Sequence, residues 1–172
     1  MRSPAELRHD HFRQLYFAER SRRESIRGSI GTPVAAISFS VFAFGTLATE
    51  FDFARWVAPP SLVIVLLACA SMLALLGAAY HVVMVEWLFV YHEPPSLADL
   101  LSAEAQVRVD RPDHLETEMV DLLTGSYAIA YQQYLCGNMI SARSRTWALR
   151  FVLASLVLLA IAFLFLPAHR IA

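Results

Sequence analysis

The side chains of this 172-residue chain that could bind or transfer charge are few and unevenly placed. Seven arginines stand before residue 28 (Arg2, Arg8, Arg13, Arg20, Arg22, Arg23, Arg27), and Arg143, Arg145 and Arg150 precede the last apolar run. A guanidinium is planar, always charged and matched to phosphate oxygens. Arg20, Arg22, Arg23 and Arg27, taken with Arg143 and Arg145, therefore make a candidate anion-binding collar. Tyr127, Tyr131 and Tyr134 add rings on which nucleobases could stack. The same residues have plainer uses. Arginines at headgroup level fix topology and contact lipid phosphate, and tyrosines commonly fill the interior of a helix bundle.

Other chemistry finds little support. His9-Asp10-His11 alternates as a chelating strand would, but the surrounding pattern is helical, which favours a surface role. Serines, histidines and aspartates occur without a nucleophile elbow, and no glycine-rich phosphate loop is present. Cys69 and Cys136 lie too far apart for zinc spacing or a ready disulfide. The reading is a protein without enzymatic activity, metal or cofactor. His81 and Glu86 are the ionisable residues of the second apolar segment, and such groups are functional candidates by default. Both sit near the segment's end, where a wetted rim competes with a pore ring.

The elements that carry these residues are set by three apolar runs, Ile30 to Ala48, Leu62 to Tyr80 and Phe151 to Pro167, nearly free of charge. Crossing a hydrocarbon core of roughly 30 Å takes about 20 helical residues. The third run is slightly short, within the tolerance of tilt and thinning. A soluble protein of this size could bury one such helix but not three. In lipid each run must satisfy its own backbone, so each is expected to be an α-helix. Composition agrees: 57% of residues are hydrophobic and 17% charged, with a mean hydropathy of +0.48.

The expected fold is an all-α membrane protein with three transmembrane helices and long cytoplasmic helical extensions between spans 2 and 3. Residues 1–27 form a cytoplasmic amphipathic helix, 28–49 the first span, and 50–60 an external loop. Residues 61–92 form the second span with a cytoplasmic extension, 93–146 a cytoplasmic helical sensor or assembly region, 147–167 the third span, and 168–172 an external tail. The leading charged region is too long and too mixed in sign for a cleaved signal peptide. Arginine counts orient the chain. They give a multi-pass protein of the bacterial inner membrane with a cytoplasmic N-terminus.

Local signals refine this layout. No Gly or Pro interrupts the second helix before Glu93-Pro94-Pro95, so it is expected to run from Leu62 to His92, about 46 Å at 1.5 Å per residue. Ser96 followed by Asp99 reads as a helix cap, and Asp113 can cap the next helix. Leu115, Met119, Leu122, Ser126, Ile129, Cys136 and Ile140 mark one face of that helix, with the three tyrosines near another. Nothing stops it before the third span, although Gly125 and Gly137 each weaken it by roughly 1 kcal/mol relative to alanine. Small residues stripe the first span (Gly31, Ala35, Ser38, Gly45, Thr49) and the second (Ala70, Ala74, Gly77, continuing to His81). In lipid such stripes permit close helix approach, within the chain or between copies.

The stretch Leu15-Tyr16, Glu19, Arg22-Arg23-Glu24, Ile26, Ile30 and Pro33-Val34 resembles the lead-in to the first span of small membrane effectors of bacterial anti-phage defence. The stretch Tyr131, Tyr134, Asn138, Arg143, Arg145, Ala148 and Phe151 is similar to their third segment. Such effectors accompany nucleotidyltransferase-type signalling systems, CBASS and Hailong among them. The resemblance covers nearly the whole chain by layout, but by residue identity only those two stretches. The cytoplasmic helix rich in alanine and glycine and the absence of lysine depart from the pattern. The resemblance implies a homo-oligomeric ion channel or pore-forming effector of antiviral defence. A nucleotide or oligonucleotide from a partner nucleotidyltransferase would gate it at the cytoplasmic helices, with membrane depolarisation and growth arrest as the outcome. In that reading Ser38, Gly45, Ala70, Ala74, Gly77, His81 and Glu86 pack helices or line the pore. The alternative is a non-conducting anchor or regulator that recruits a soluble partner through residues 93–146. A transporter subunit ranks below both, since no internal repeat or broken helix offers a substrate site.

The arginine asymmetry predicts that a reporter fused after Ala172 reads as periplasmic and one inserted near Asp110 as cytoplasmic. Both reporters on one side would exclude three spans.

Overall fold

A computed structural model describes residues 3–86 and 91–171, without the side chains of Arg55 and Glu86. Every regular element among the described residues is helical. They are α1 (Pro4–Gly28), α2 (Gly31–Glu50), a 3-10 turn (Phe53–Arg55), α3 (Pro59–Glu86), α4 (Leu97–Asp110), a second 3-10 turn (Pro112–His114) and α5 (Leu115–Ile171). Three helical segments are long and apolar enough to cross a membrane. The chain divides into two units, the first of Met1–Ile26 with Phe89–Ile140, the second of Arg27–Leu88 with Ser141–Ala172.

The second unit holds α2, α3 and the C-terminal part of α5. Pro33 lies in the first turn of α2, where its missing N–H leaves no interior bond unmade. The break at Ser29–Ile30 falls just before it, and Ile30 N–H returns to the Arg27 carbonyl at 3.1 Å. Phe51 turns extended and ends α2, and the Asp52 carboxylate caps the next turn by accepting the Ala54 N–H at 2.9 Å. Pro59-Pro60 opens α3, whose first turn also wants no N–H donors. Leu47, Ile64, Leu159, Ala162 and Leu166 form an apolar core joining the three helices, with Phe44 and Phe51 packed against it.

Polar side chains bridge this apolar unit. Ser71 Oγ lies 2.7 Å from Ser155 Oγ and donates to the Ser155 carbonyl at 3.0 Å, and Ser141 Oγ donates to the Val85 carbonyl at 3.2 Å. Ser40, equally buried, returns its proton to the Ala36 carbonyl of its own helix. Such bonds are worth about 0.6 to 2 kcal/mol each between helices in lipid.

The first unit holds α1, α4 and the N-terminal part of α5. Ser96 accepts the Asp99 N–H while Asp99 accepts the Ser96 N–H, the reciprocal cap expected for α4. The Ser96 hydroxyl and N–H hold the Asp99 carboxyl below the ordinary carboxylate range. α4 has no buried residue, and Leu97, Leu101 and Val109 stand exposed along it.

Two expectations need revision. The helix of α3 does not reach His92: it is described to Glu86, Trp87 to Val90 lie outside the described residues, and Tyr91 and His92 are not helical. Tertiary bonds replace the helical ones there. The His92 N–H donates to Gln133 Oε1 at 2.6 Å, and the Tyr91 ring packs on Tyr134. Asp113 sits inside a 3-10 turn opened by Pro112 rather than at the cap of α5. The tail beyond Pro167 is helical to Ile171, one further turn. On α5 the aliphatic face is the open one, with Leu122, Ile129 and Ile140 exposed, while Ala130, Tyr134 and Asn138 are buried. The expected continuity of α5 through Gly125 and Gly137 is present, 57 residues in one helix.

Within the second unit, Gly77 lets the Phe151 ring approach α3. A Cβ at position 77 would lie 3.4 Å from three carbons of that ring. Gly77→Ala is therefore expected to be tolerated and Gly77→Leu to overpack, at about 1 to 3 kcal/mol. Thermal unfolding of the detergent-solubilised protein measures both, and equal stability of the two variants would contradict the contact.

Candidate functional site

Of the candidate anion-binding residues, Arg20, Arg22, Arg23, Tyr127, Tyr131 and Tyr134 belong to the first unit, and Arg27, Arg143 and Arg145 to the second. In the first unit α1 and α5 meet through an aromatic cluster. Tyr16, 1% exposed, meets Tyr127 and Tyr134 with ring centroids 5.5 Å from each. Tyr91 lies 4.3 Å from Tyr134, and Tyr127 also touches His9 at 5.5 Å. Tyr131 packs against the cluster and is partly buried. The three sequence-predicted tyrosines thus have aromatic neighbours rather than open faces. Burial, and then the Tyr16 phenol, push the Tyr134 phenol above its ordinary range.

The arginines around this cluster differ in kind. Arg23 is 6% exposed, its guanidinium 5.4 Å above the Tyr91 ring. A cation over an aromatic face gains about 0.5 to 2 kcal/mol, more as water is removed. Arg20 is exposed, lies 3.8 Å from Glu24, and is pushed above its ordinary range by the neighbouring Tyr16 phenol, through electrostatics and their hydrogen bond. Arg22 is exposed and lies 3.4 Å from Glu19.

Glu19 is the hinge of the arrangement. Asn138, fully buried on α5, donates its Nδ2 to the Glu19 carbonyl at 2.7 Å and to Glu19 Oε2 at 2.8 Å. Two acceptors on one side fix the amide orientation. Its Oδ1 is then buried with no partner among the described residues. Asn138 and Glu19 occur in the two stretches that carry the resemblance, but neither was singled out by spacing. An amide on the face that also carries Tyr134 and Ser141 was the available signal.

In the second unit Arg143 is exposed, and Arg145 is half-buried with Nε unpartnered. Arg27 closes the last turn of α1 and has a partner. His81 stacks on Phe151 at 5.7 Å and on Trp147 at 6.4 Å, with its Nδ1 unpartnered. Ala74 is buried and Gly77 faces Phe151, whereas Ala70 is exposed. Most of the small-residue stripe on α3 is therefore taken up by the chain's own α5. On α2 the opposite holds: Gly31, Ala35, Ser38, Gly45 and Thr49 are all exposed. The Glu86 side chain lies outside the described part. His9 and His11 rest on different rings, Tyr127 and Phe12, and do not converge.

Sequence reasoning passed over His169. It is fully buried in the last turn of α5, stacked on Phe51 with ring centroids 4.8 Å apart, and bonded to Ser61 and to the Asp52 backbone. A histidine closing an apolar run was the signal that would have found it.

No known protein family, curated protein or solved structure matches the chain.

Replacing Asn138 with leucine leaves the Glu19 carbonyl and carboxylate without their donor. The expected cost is about 1 to 3 kcal/mol, read as a lower unfolding midpoint. Gln132→Ala, at an exposed position of the same helix, is expected to stay within about 0.5 kcal/mol of the parent. Equal effects of the two would remove Asn138 from the arrangement.

Proposed function

We propose that the chain is a membrane effector that assembles from several copies and permeabilises the bilayer, in the bacterial anti-phage setting its layout resembles. A nucleotide-type anion is the proposed signal, received by the unit that carries Arg20, Arg22, Arg23 and the tyrosine cluster. The observation that carries this reading is the open face of α2. Its small and hydroxyl residues, Gly31, Ala35, Ser38, Gly45 and Thr49, are left uncovered by α3 and α5, and no atom lies within 4 Å of a Cβ built on Gly45. A helix face of that kind suits close contact with a second copy, or the lining of a polar path. Its hydroxyls are satisfied locally, Ser38 by the Val34 carbonyl and Thr49 by the Thr46 carbonyl. The face is therefore stable before any assembly forms.

A second reading rests on α4. A 14-residue helix with no buried residue and with Leu97, Leu101 and Val109 exposed is suited to a soluble partner. In that case the chain is a non-conducting anchor that recruits through residues 93–146.

The two readings separate on expression in bacteria carrying a potential-sensitive dye. A pore former depolarises the membrane and arrests growth, and Gly45→Leu relieves both while lowering the oligomer size in detergent. Tolerated expression with unchanged potential, and an oligomer size indifferent to Gly45→Leu, would support the anchor and overturn the pore.

A further inference from the structure

His169 offers information beyond packing, because its two ring nitrogens are bonded in a way that fixes its proton. The Asp52 backbone N–H donates to Nε2 at 3.0 Å, so Nε2 must present a lone pair. The single proton of the neutral ring then sits on Nδ1 and is donated to Ser61 Oγ, 2.7 Å away. The opposite direction is unavailable, since Ser61 could donate to Nδ1 only if the ring carried no proton at all. This polarity also rules out activation of Ser61 as a nucleophile, because the nitrogen that faces the hydroxyl is already protonated.

One side chain thus ties three elements. It joins the last turn of α5 to the segment after α2 through Asp52 and to the first turn of α3 through Ser61, with Phe51 stacked nearly parallel at 5°. The apolar core of Leu47, Ile64 and Leu166 belongs to the same three helices. Pro167, two residues earlier, removes a backbone bond from the final turn of α5. Side-chain bonds hold that turn in its place.

We propose that this arrangement is an acid-labile latch. Protonation of Nε2 sets an N–H donor against the Asp52 N–H donor, which breaks the contact and releases the segment between α2 and α3 from the end of α5. The charged groups around the ring are consistent with that change. The end of α2 brings Glu50, paired with Arg170 on α5. The connecting segment brings the Asp52 carboxylate, which accepts the Ala54 N–H, and α3 brings the uncharged Ser61. A cationic ring turned out of its stack meets two carboxylates and one guanidinium, so the opened form has a place for its charge. The latch stands independently of any pore.

The test uses the full chain, 15N-labelled, in detergent micelles or nanodiscs at about pH 8 and about pH 5, the span over which histidines ordinarily titrate. At the higher pH the His169 ring is expected as the Nδ1–H tautomer, with the Asp52 amide protected from hydrogen exchange. At the lower pH the ring is expected to be doubly protonated, and Asp52 protection, corrected for the intrinsic pH dependence, to fall at least ~tenfold. His169→Gln supplies an acceptor and a donor without titrating and should keep its Asp52 protection at both values. The Nε2–H tautomer at the higher pH would overturn the latch. So would a ring that stays neutral at the lower pH, protection that survives ring protonation, or acid loss of protection in His169→Gln. Should that variant fail to fold, the two wild-type measurements decide the question alone.

Discussion

A buried hydroxyl, amide or imidazole in an apolar bundle must find a partner inside it, and that requirement governs both units. In the second unit the surfaces of α2, α3 and α5 are nearly all aliphatic and aromatic, and aliphatic contact alone allows helices to slide or rotate against one another at little cost. The Ser71–Ser155 pair and the Ser141–Val85 bond remove that freedom between α3 and α5. Each favours one rotation and axial position together, because a shift of one residue breaks the bond between the helices. Gly77 then has a defined job, making room for Phe151 at the register the serines impose. Small residue and buried hydroxyl are two halves of one packing solution.

The first unit meets the same requirement with heavier groups. Tyr16, Tyr127 and Tyr134 carry the apolar contact between α1 and α5, and Asn138 with Glu19 supplies the directional bonds. Arg23 is unusual among the arginines of α1 in being buried, and the Tyr91 ring face receives its charge where bulk water is excluded. A guanidinium buried in so small a unit would be costly without such a face to receive it.

Much of the helical layout was legible because its signals are local. Pro33, the Ser96-Asp99 box and the absence of any breaker between the start of α5 and the third apolar run each act within a turn of themselves, and each appears where the sequence puts it. The end of α3 was not legible. Nothing in the run Val82 to Tyr91 forbids a helix, and at Tyr91 and His92 the chain instead bonds to Gln133, Tyr134 and Arg23, distant in sequence. Which face of α5 packs was not legible for a related reason. One face of leucine and isoleucine and another of tyrosine were both marked, and it is tyrosine and asparagine positions that meet α1. Periodicity locates a face but not its partner. His169 escaped notice because its importance rests on Asp52 and Ser61, which no spacing rule connects to it.

The thiols have a practical consequence. The sequence contains no lysine, and its two cysteines are both exposed, Cys69 on α3 in one unit and Cys136 on α5 in the other. Cys69 borders an apolar groove lined by Phe44, Phe51 and Phe53, whereas Cys136 stands exposed outside the long apolar runs, one helical turn from Gln132 and from Ile140. Maleimide reagents of differing polarity should therefore discriminate between them without mutagenesis, the greasy dye favouring one and the charged dye the other. Native handles of that sort give each unit its own optical reporter.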